Sequence, residues 1–307
     1  MNTSVPLHNI GIITKRSDAG ALQATRELTG WLWERGIRVT VTPEVATTLR
    51  LPASMARTEA QETLVVGQDL VVVIGGDGTF IAAARAVGQR DTPLLGINMG
   101  RLGFLTEVSA CGMLPAMAAI LAGQFRTEER MMLEVVVLRD EREVLRHRVL
   151  NDVVAHKGEL ARMVEFQVAI DGRFVFSSRA DGLIVSTPTG STAYALSAGG
   201  PIIHPSLDAI LLVPICPHTL TYRPIAVPGR GMIEVSFKTR NPNRLLTLDG
   251  QTGFALIEGD RIHISQSPHP LRLLHPLDRD YFRILRDKLH WGETVGGGEG
   301  KGACSAS

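Results

Sequence analysis

The aliphatic run Leu70-Val71-Val72-Val73-Ile74 passes directly into Gly75-Gly76-Asp77-Gly78-Thr79 and then into the alanine-rich stretch Phe80 to Val87. An unbroken aliphatic run bounded by glycine reads as a strand covered on both faces, as in a parallel sheet flanked by helices. The alanine-rich stretch reads as a helix, so the glycines form the strand-to-helix turn. Three glycines in four positions let backbone approach a ligand, and the amides at a helix start, backed by the positive end of its dipole, suit phosphate oxygens. The alternative is a tight turn with Asp77 or Thr79 as N-cap. Neither Gly-x-x-x-x-Gly-Lys-Ser/Thr nor a post-strand Gly-x-Gly-x-x-Gly occurs, which disfavours a P-loop enzyme and an ordinary dinucleotide dehydrogenase.

The surrounding chain has the same rhythm. Asn9 to Thr14 is a short apolar run, Leu22 to Arg35 places Leu22, Leu28, Leu32 and the tryptophans at helical spacings, and Ile37 to Thr42 alternates with period two. Pro93 to Ile97 returns to strand. The first hundred residues therefore predict an α/β domain, a parallel sheet with crossover helices. Thr47 to Gln68 has no clear period and reads as loop. From about Met131 strands follow one another: Met132 to Leu138, Val144 to Ala155, Val164 to Ile170, then Leu183 to Ser186, Ile233 to Phe237, Leu245 to Leu248 and Arg261 to Ile264. This predicts a mostly β, sandwich-like second domain. Asp171-Gly172 between two strand-like runs predicts a type I′ hairpin. Tyr281 to Leu289 is helical and, because a lone helix cannot bury its own face, is expected to return to the first domain. The expected division is 1–127, 128–275, a returning helix over 276–291 and a glycine-rich, disordered tail over 292–307.

Composition removes several function classes. Lys plus Arg total 32 against 31 for Asp plus Glu, a net of +1, so no bulk charge draws the chain to nucleic acid or an anionic membrane. No run approaches the roughly 18 apolar residues of a membrane helix. The 3 cysteines are far apart without a Cys-x-x-Cys pair, which argues against a disulfide scaffold or a zinc knuckle and fits a reducing cytoplasm. The histidines show no metal-site spacing.

A second dense motif runs from Asp181 to Ile202. Thr187, Thr189, Ser191, Thr192 and Ser197 offer neutral donors and acceptors, Tyr194 a flat face, and Gly190, Gly199 and Gly200 close backbone approach. Such a surface suits a ribose and a base; the alternative is a Ser/Thr loop between strands. Asn151-Asp152 and Leu248-Asp249-Gly250-Gln251 close two strand-like runs and by themselves read as turns.

Taken in order, the Gly75–Thr79 turn, Asn151-Asp152, the Asp181 to Ile202 block, Pro217-His218-Thr219-Leu220 and Asp249-Gly250-Gln251 resemble the NAD kinase family over nearly all of residues 5 to 291. The resemblance implies transfer of the ATP γ-phosphoryl group to the 2′-hydroxyl of the adenosine ribose of NAD, with Mg2+ accompanying ATP. It implies Asp77 as the proton acceptor and Gly75, Gly76, Gly78 and Thr79 as the phosphate-binding turn. It places Asp77, Gly78, Asn151, Asp152, Arg162, Arg179, Asp181, Thr192, Ala193, Tyr194, Ala195, Leu196, Ser197 and Gln251 on NAD. It also implies that Arg179 goes with use of NAD over NADH, that the site lies in an interdomain cleft, and that the chain forms a homodimer or homotetramer in which a neighbour completes the pocket. The family pair is Asn-Glu, so Asp152 keeps the charge and shortens the reach. A non-catalytic NAD or NADP sensor and a lipid kinase sharing the glycine turn are the alternatives; ATP and inorganic polyphosphate are both compatible donors.

Overall fold

The computed structural model describes residues 7–100, 103–158, 163–219, 221–238, 244–277 and 279–291. The chain divides into two compact units, one taking both ends of the chain up to Glu128 and from Arg272, the other spanning Glu129–Leu271. Residues 292–307, expected to be disordered, lie outside the described residues.

The first unit is built on a sheet of eight strands among the described residues. Its order is Arg57–Thr58, Arg38–Val41, Asn9–Thr14, Leu70–Gly75, Leu94–Asn98, Leu271–His275 and Arg126–Arg130, with Val108–Ser109 beside Leu94–Asn98. The pairings of Asn9–Thr14 with Arg38–Val41 and Leu70–Gly75, and of Leu70–Gly75 with Leu94–Asn98, are parallel. Every residue from Leu70 to Ile74 is fully buried, as a strand covered on both faces must be. The Ala19–Trp33 helix starts at Asp18, whose carboxylate accepts from Ala21 N, and turns Ala21, Ala24, Leu28 and Leu32 inward. Trp33 instead lies exposed, because its spacing from Leu28 puts it off the inward stripe.

The stretch expected to be loop carries short elements: a Pro43–Leu49 helix opened by proline and closed by Arg50 at φ 50°, the Arg57–Thr58 strand, and a single turn, Gln61–Leu64. Each is too short for a periodic signature.

The second unit holds two six-stranded antiparallel sheets among the described residues, sharing one core that includes Leu133, Val135, Val153, Phe166, Leu183, Ile210, Val235 and Leu246. Asp171 and Gly172 both have positive φ, 49° and 73°, and Ile170 pairs with Arg173, so the predicted two-residue hairpin forms. The single strand expected over Val144 to Ala155 is two. Arg142–Val149 belongs to one sheet and Asp152–Lys157 to the other, and the chain changes sheets at Leu150-Asn151. Apolar residues flank the switch on both sides, Val149-Leu150 before it and Val153 to Ala155 after it, and the polar Asn151-Asp152 pair between them reads by itself only as a turn.

The Leu271–His275 strand pairs in parallel with Leu94–Asn98, and the Tyr281–Leu289 helix follows, capped by Asp280 and burying Ile284 and Leu285. Among the described residues no helix is long and apolar enough to cross a membrane.

Candidate functional site

At the sheet switch, Asp249 holds the strand opening in place. Its Oδ2 accepts from Leu150 N at 2.9 Å, and its Oδ1 from Asn151 N at 2.7 Å and Asp152 N at 3.2 Å. Asp249 itself stands at φ 52°, a left-handed conformation that aspartate tolerates better than most residues. From the other side, Ser186 Oγ and Thr187 N donate to Asn151 O, and Thr187 Oγ1 donates to Leu150 O. Gly190 packs so tightly on this backbone that a Cβ there would lie 2.1 Å from Asn151 O. The Asn151-Asp152 peptides are thus fixed by groups 35 and 98 residues away in sequence.

These residues border a cleft of about 490 Å3 lined by Asn151, Asp152, Asp181, Tyr194, Asp249 and Gly250, among others. Lys157 Nζ lies 2.7 Å from Asp181 Oδ1, and His156 Nε2 is 3.0 Å from Thr247 Oγ1. Asp152 is only 4% exposed. Burial first, and the neighbouring Asp249 carboxylate second, push its carboxyl up to about 7. Tyr194 is half exposed, leaving a ring face for a planar ligand.

The Asp152 shift has a definite sign. Below about pH 4 folded and unfolded chains both carry this proton, and between about 4 and 7 the folded chain alone retains it. Its contribution to stability is therefore present at low pH and lost as pH rises through about 7. Asp152→Asn removes the titration. Denaturant unfolding of the two proteins from pH 5 to 8 is expected to show the wild type losing stability relative to the variant; parallel curves would place the Asp152 proton elsewhere.

In the first unit the Leu70–Gly75 strand turns into the Asp77–Val87 helix through Gly76, which occupies the N-cap position without a side-chain cap. Neither Asp77 nor Thr79 is the N-cap. The Asp77 carboxylate instead reaches the 103–106 loop: Oδ2 accepts from Phe104 N at 3.0 Å, and Oδ1 from Leu105 N, Thr106 N and Thr106 Oγ1 at 3.1 to 3.2 Å. Gly103 permits this approach, since a Cβ there would meet Asp77 Oδ1 at 2.1 Å.

Among the described residues no group of three or more His, Cys, Asp or Glu could hold a metal ion.

The ATP-NAD kinase N-terminal domain matches residues 10–125, and the ATP-NAD kinase C-terminal domain matches residues 150–276. The chain belongs to the NAD kinase family. A relative named NAD kinase from Magnetococcus marinus is 58% identical over 290 residues, covering 94% of this chain and 96% of its own. One from Geotalea daltonii is 46% identical, covering 94% and 100%. Among solved structures, yeast NADH kinase complexed with NADH superposes with a TM-score of 0.87 at 27% identity, covering 94% of this chain and 89% of its own. An NAD kinase from Archaeoglobus fulgidus in complex with ATP gives 0.70 at 25% identity, covering 92% and 98%.

Of the residues that the NAD kinase resemblance assigns to substrate, Asn151, Asp152, Asp181, Ala193 and Tyr194 border one cleft. Others lie apart from its lining. Arg179 is exposed on the Arg173–Ala180 strand opposite Glu165, and Gln251 is exposed beyond the Asp249-Gly250 turn. Ala195 is fully buried in an apolar cluster with Val154, Ile184, Leu211 and Val213. Thr192 Oγ1 donates to Thr189 O, and Leu196 and Ser197 complete the one-turn helix Tyr194–Ser197. Arg162 lies outside the described residues. The hydroxyl block also differs from the sequence reading. Thr187, Thr189 and Ser191 are buried; Thr187 serves Leu150 O and Gly190 N, while Ser191 serves Pro188 O and Ile203 N. An irregular buried backbone needs these partners, so they brace the site rather than face a ligand. Sequence reasoning missed His156, Lys157 and Thr247 and left Asp249 as a turn. The available signal was a polar His-Lys pair closing the apolar Val153–Ala155 run.

Proposed function

We infer that this member of the NAD kinase family phosphorylates NAD with ATP, at the 2′-hydroxyl of the adenosine ribose, giving NADP and ADP. The observation that carries the reading is the braced Asn151-Asp152 pair at a cleft bordered by Tyr194, in a chain whose two parts match the two ATP-NAD kinase domains. Phosphoryl transfer is mostly positioning and charge stabilisation, so the work of the chain is to hold two nucleotides in line. Asp77 takes the proton of the attacking hydroxyl. Three of the four described donors converge on its Oδ1, which leaves Oδ2 as the oxygen with capacity for that hydroxyl. The glycine turn Gly75, Gly76, Gly78 and Thr79 cradles phosphate. Asp152 accepts from the ribose, and Asn151, Asp181 and Tyr194 bind the rest of the dinucleotide. Mg2+ accompanying ATP would supply neutralisation of the phosphate charge. A cytoplasmic setting and a homodimer or homotetramer are the expected location and assembly.

The test is purified protein with ATP, Mg2+ and NAD, scored by a dehydrogenase that reads only NADP. NADP is expected to form, and NADH in place of NAD to be used poorly if Arg179 acts as the family resemblance implies. No NADP above background over a range of metals and donors removes the kinase reading in favour of a binding-only sensor. Comparable use of NADH removes the Arg179 assignment.

The Asp152 role has its own check. Above about pH 7 the Asp152 carboxyl is ionised, and a hydrogen bond to a charged acceptor contributes about 1.5–3 kcal/mol, so in assays run above that pH Asp152→Ala is expected to lower kcat/KM for NAD by about one to two decades. Asp152→Glu, the family residue, is expected to be better tolerated. Unaltered kinetics of Asp152→Ala with a lower Tm would make the pair a structural turn.

A further inference from the structure

Behind the 103–106 loop lies a buried charge cluster that the reaction as described does not use. Glu107 follows Thr106 directly. Its Oε2 accepts from Arg279 Nε at 2.7 Å, and its Oε1 pairs with His275 Nδ1. Arg279 Nη1 also pairs with Glu128, whose Oε2 lies 3.0 Å from His275 Nε2. The His275, Glu107 and Arg279 side chains are 5%, 11% and 12% exposed, so the charges are largely withdrawn from water. Burial alone would raise the Glu107 carboxyl, yet His275 and Arg279 hold it below its ordinary range. A second hold falls on the same loop, where Lys288 Nζ stands 5.6 Å from the Phe104 ring centroid. His275, Arg279 and Lys288 all belong to the returning C-terminal segment. Between the two points they grip lie the three amides and the hydroxyl that aim at Asp77, and Gly103 N closes the loop on Thr106 O at 3.0 Å.

We propose that Arg279, His275 and Lys288 are positioning residues for phosphoryl transfer: by fixing Glu107 and Phe104 they set the 103–106 loop, and through it the orientation of the Asp77 carboxylate. The proposal rests on Asp77 being the proton acceptor. A buried ion cluster is weak as a source of net stability but strong as a geometric constraint, because a displaced charge has no solvent to turn to. A displacement of about 1 Å at a reacting group from a distant change costs on the order of 10²-fold in rate.

The test uses the full-length protein with Arg279→Lys, which keeps the charge but loses the fork that spans two carboxylates, and Lys288→Met, which keeps the stem on a helix surface and removes the cation. Each is made alone and with Asp77→Asn, and kcat, KM and Tm are recorded. Both single variants are expected to fold and to lose about 10- to 100-fold in kcat with KM within about threefold. In the Asp77→Asn background the same changes are expected to cost under about threefold, because the group they orient is gone. Unchanged kcat, a rise in KM alone, or an equal loss in the Asp77→Asn background would overturn the proposal. Wild-type turnover in Asp77→Asn alone would overturn the Asp77 reading, a result distinguishable from the other three.

Discussion

Asp77→Asn is expected to lower kcat by about 10²- to 10⁴-fold, the cost of losing a general base. The structure adds a reason beyond proton affinity. Each Asp77 oxygen faces backbone N–H groups, Phe104 at Oδ2 and Leu105 and Thr106 at Oδ1. An asparagine must turn its own NH2 toward one of those donors, so the loop loosens as the base disappears. The fold should survive, because the strand and helix on either side of the turn are held by the buried aliphatic core around Ile10, Leu28, Val72 and Ile97. Steady-state kinetics with circular dichroism on the same preparation decide it. A folded Asp77→Asn protein with wild-type kcat would reduce Asp77 to a loop anchor.

Asp249→Ala is expected to be the most destabilising single change in the second unit's site. One carboxylate satisfies the amides of Leu150, Asn151 and Asp152 at the place where the chain leaves one sheet for the other. Hydrogen bonds to a charged group contribute about 1.5–3 kcal/mol each and are not additive, and removal of the charge eases the repulsion felt by Asp152. A net loss of about 3 kcal/mol remains, and at about 2–4 °C per kcal/mol it lowers Tm by about 6–12 °C. With the Asn151-Asp152 peptides released, kcat/KM for NAD falls as well. Asp249→Asn, which keeps one acceptor oxygen, should lie between the two. A melting curve of Asp249→Ala that overlays the wild type would show that those amides find other partners.

What the sequence determined by itself is what contiguous residues encode. Leu70 to Ile74 is aliphatic without interruption and is buried on both faces; Asp171-Gly172 supplies two residues that accept positive φ and makes the hairpin; Asp77 follows a glycine pair and begins a helix. Each outcome depends on local backbone sterics or on the period of side chains along one element. The order of motifs along the chain likewise suffices to mark its family. What only the tertiary structure decided is where polar groups separated along the chain meet. That Val144 to Ala155 divides between two sheets, that the Thr187 and Ser191 hydroxyls brace the backbone, that Asp249 serves three amides about a hundred residues earlier, and that Arg279 reaches Glu107 all depend on strand register and on which buried amides lack a partner. Periodicity records which face of an element is apolar. It carries no information about which distant carboxylate will satisfy a buried N–H, because that pairing is fixed only when the sheets close and water leaves.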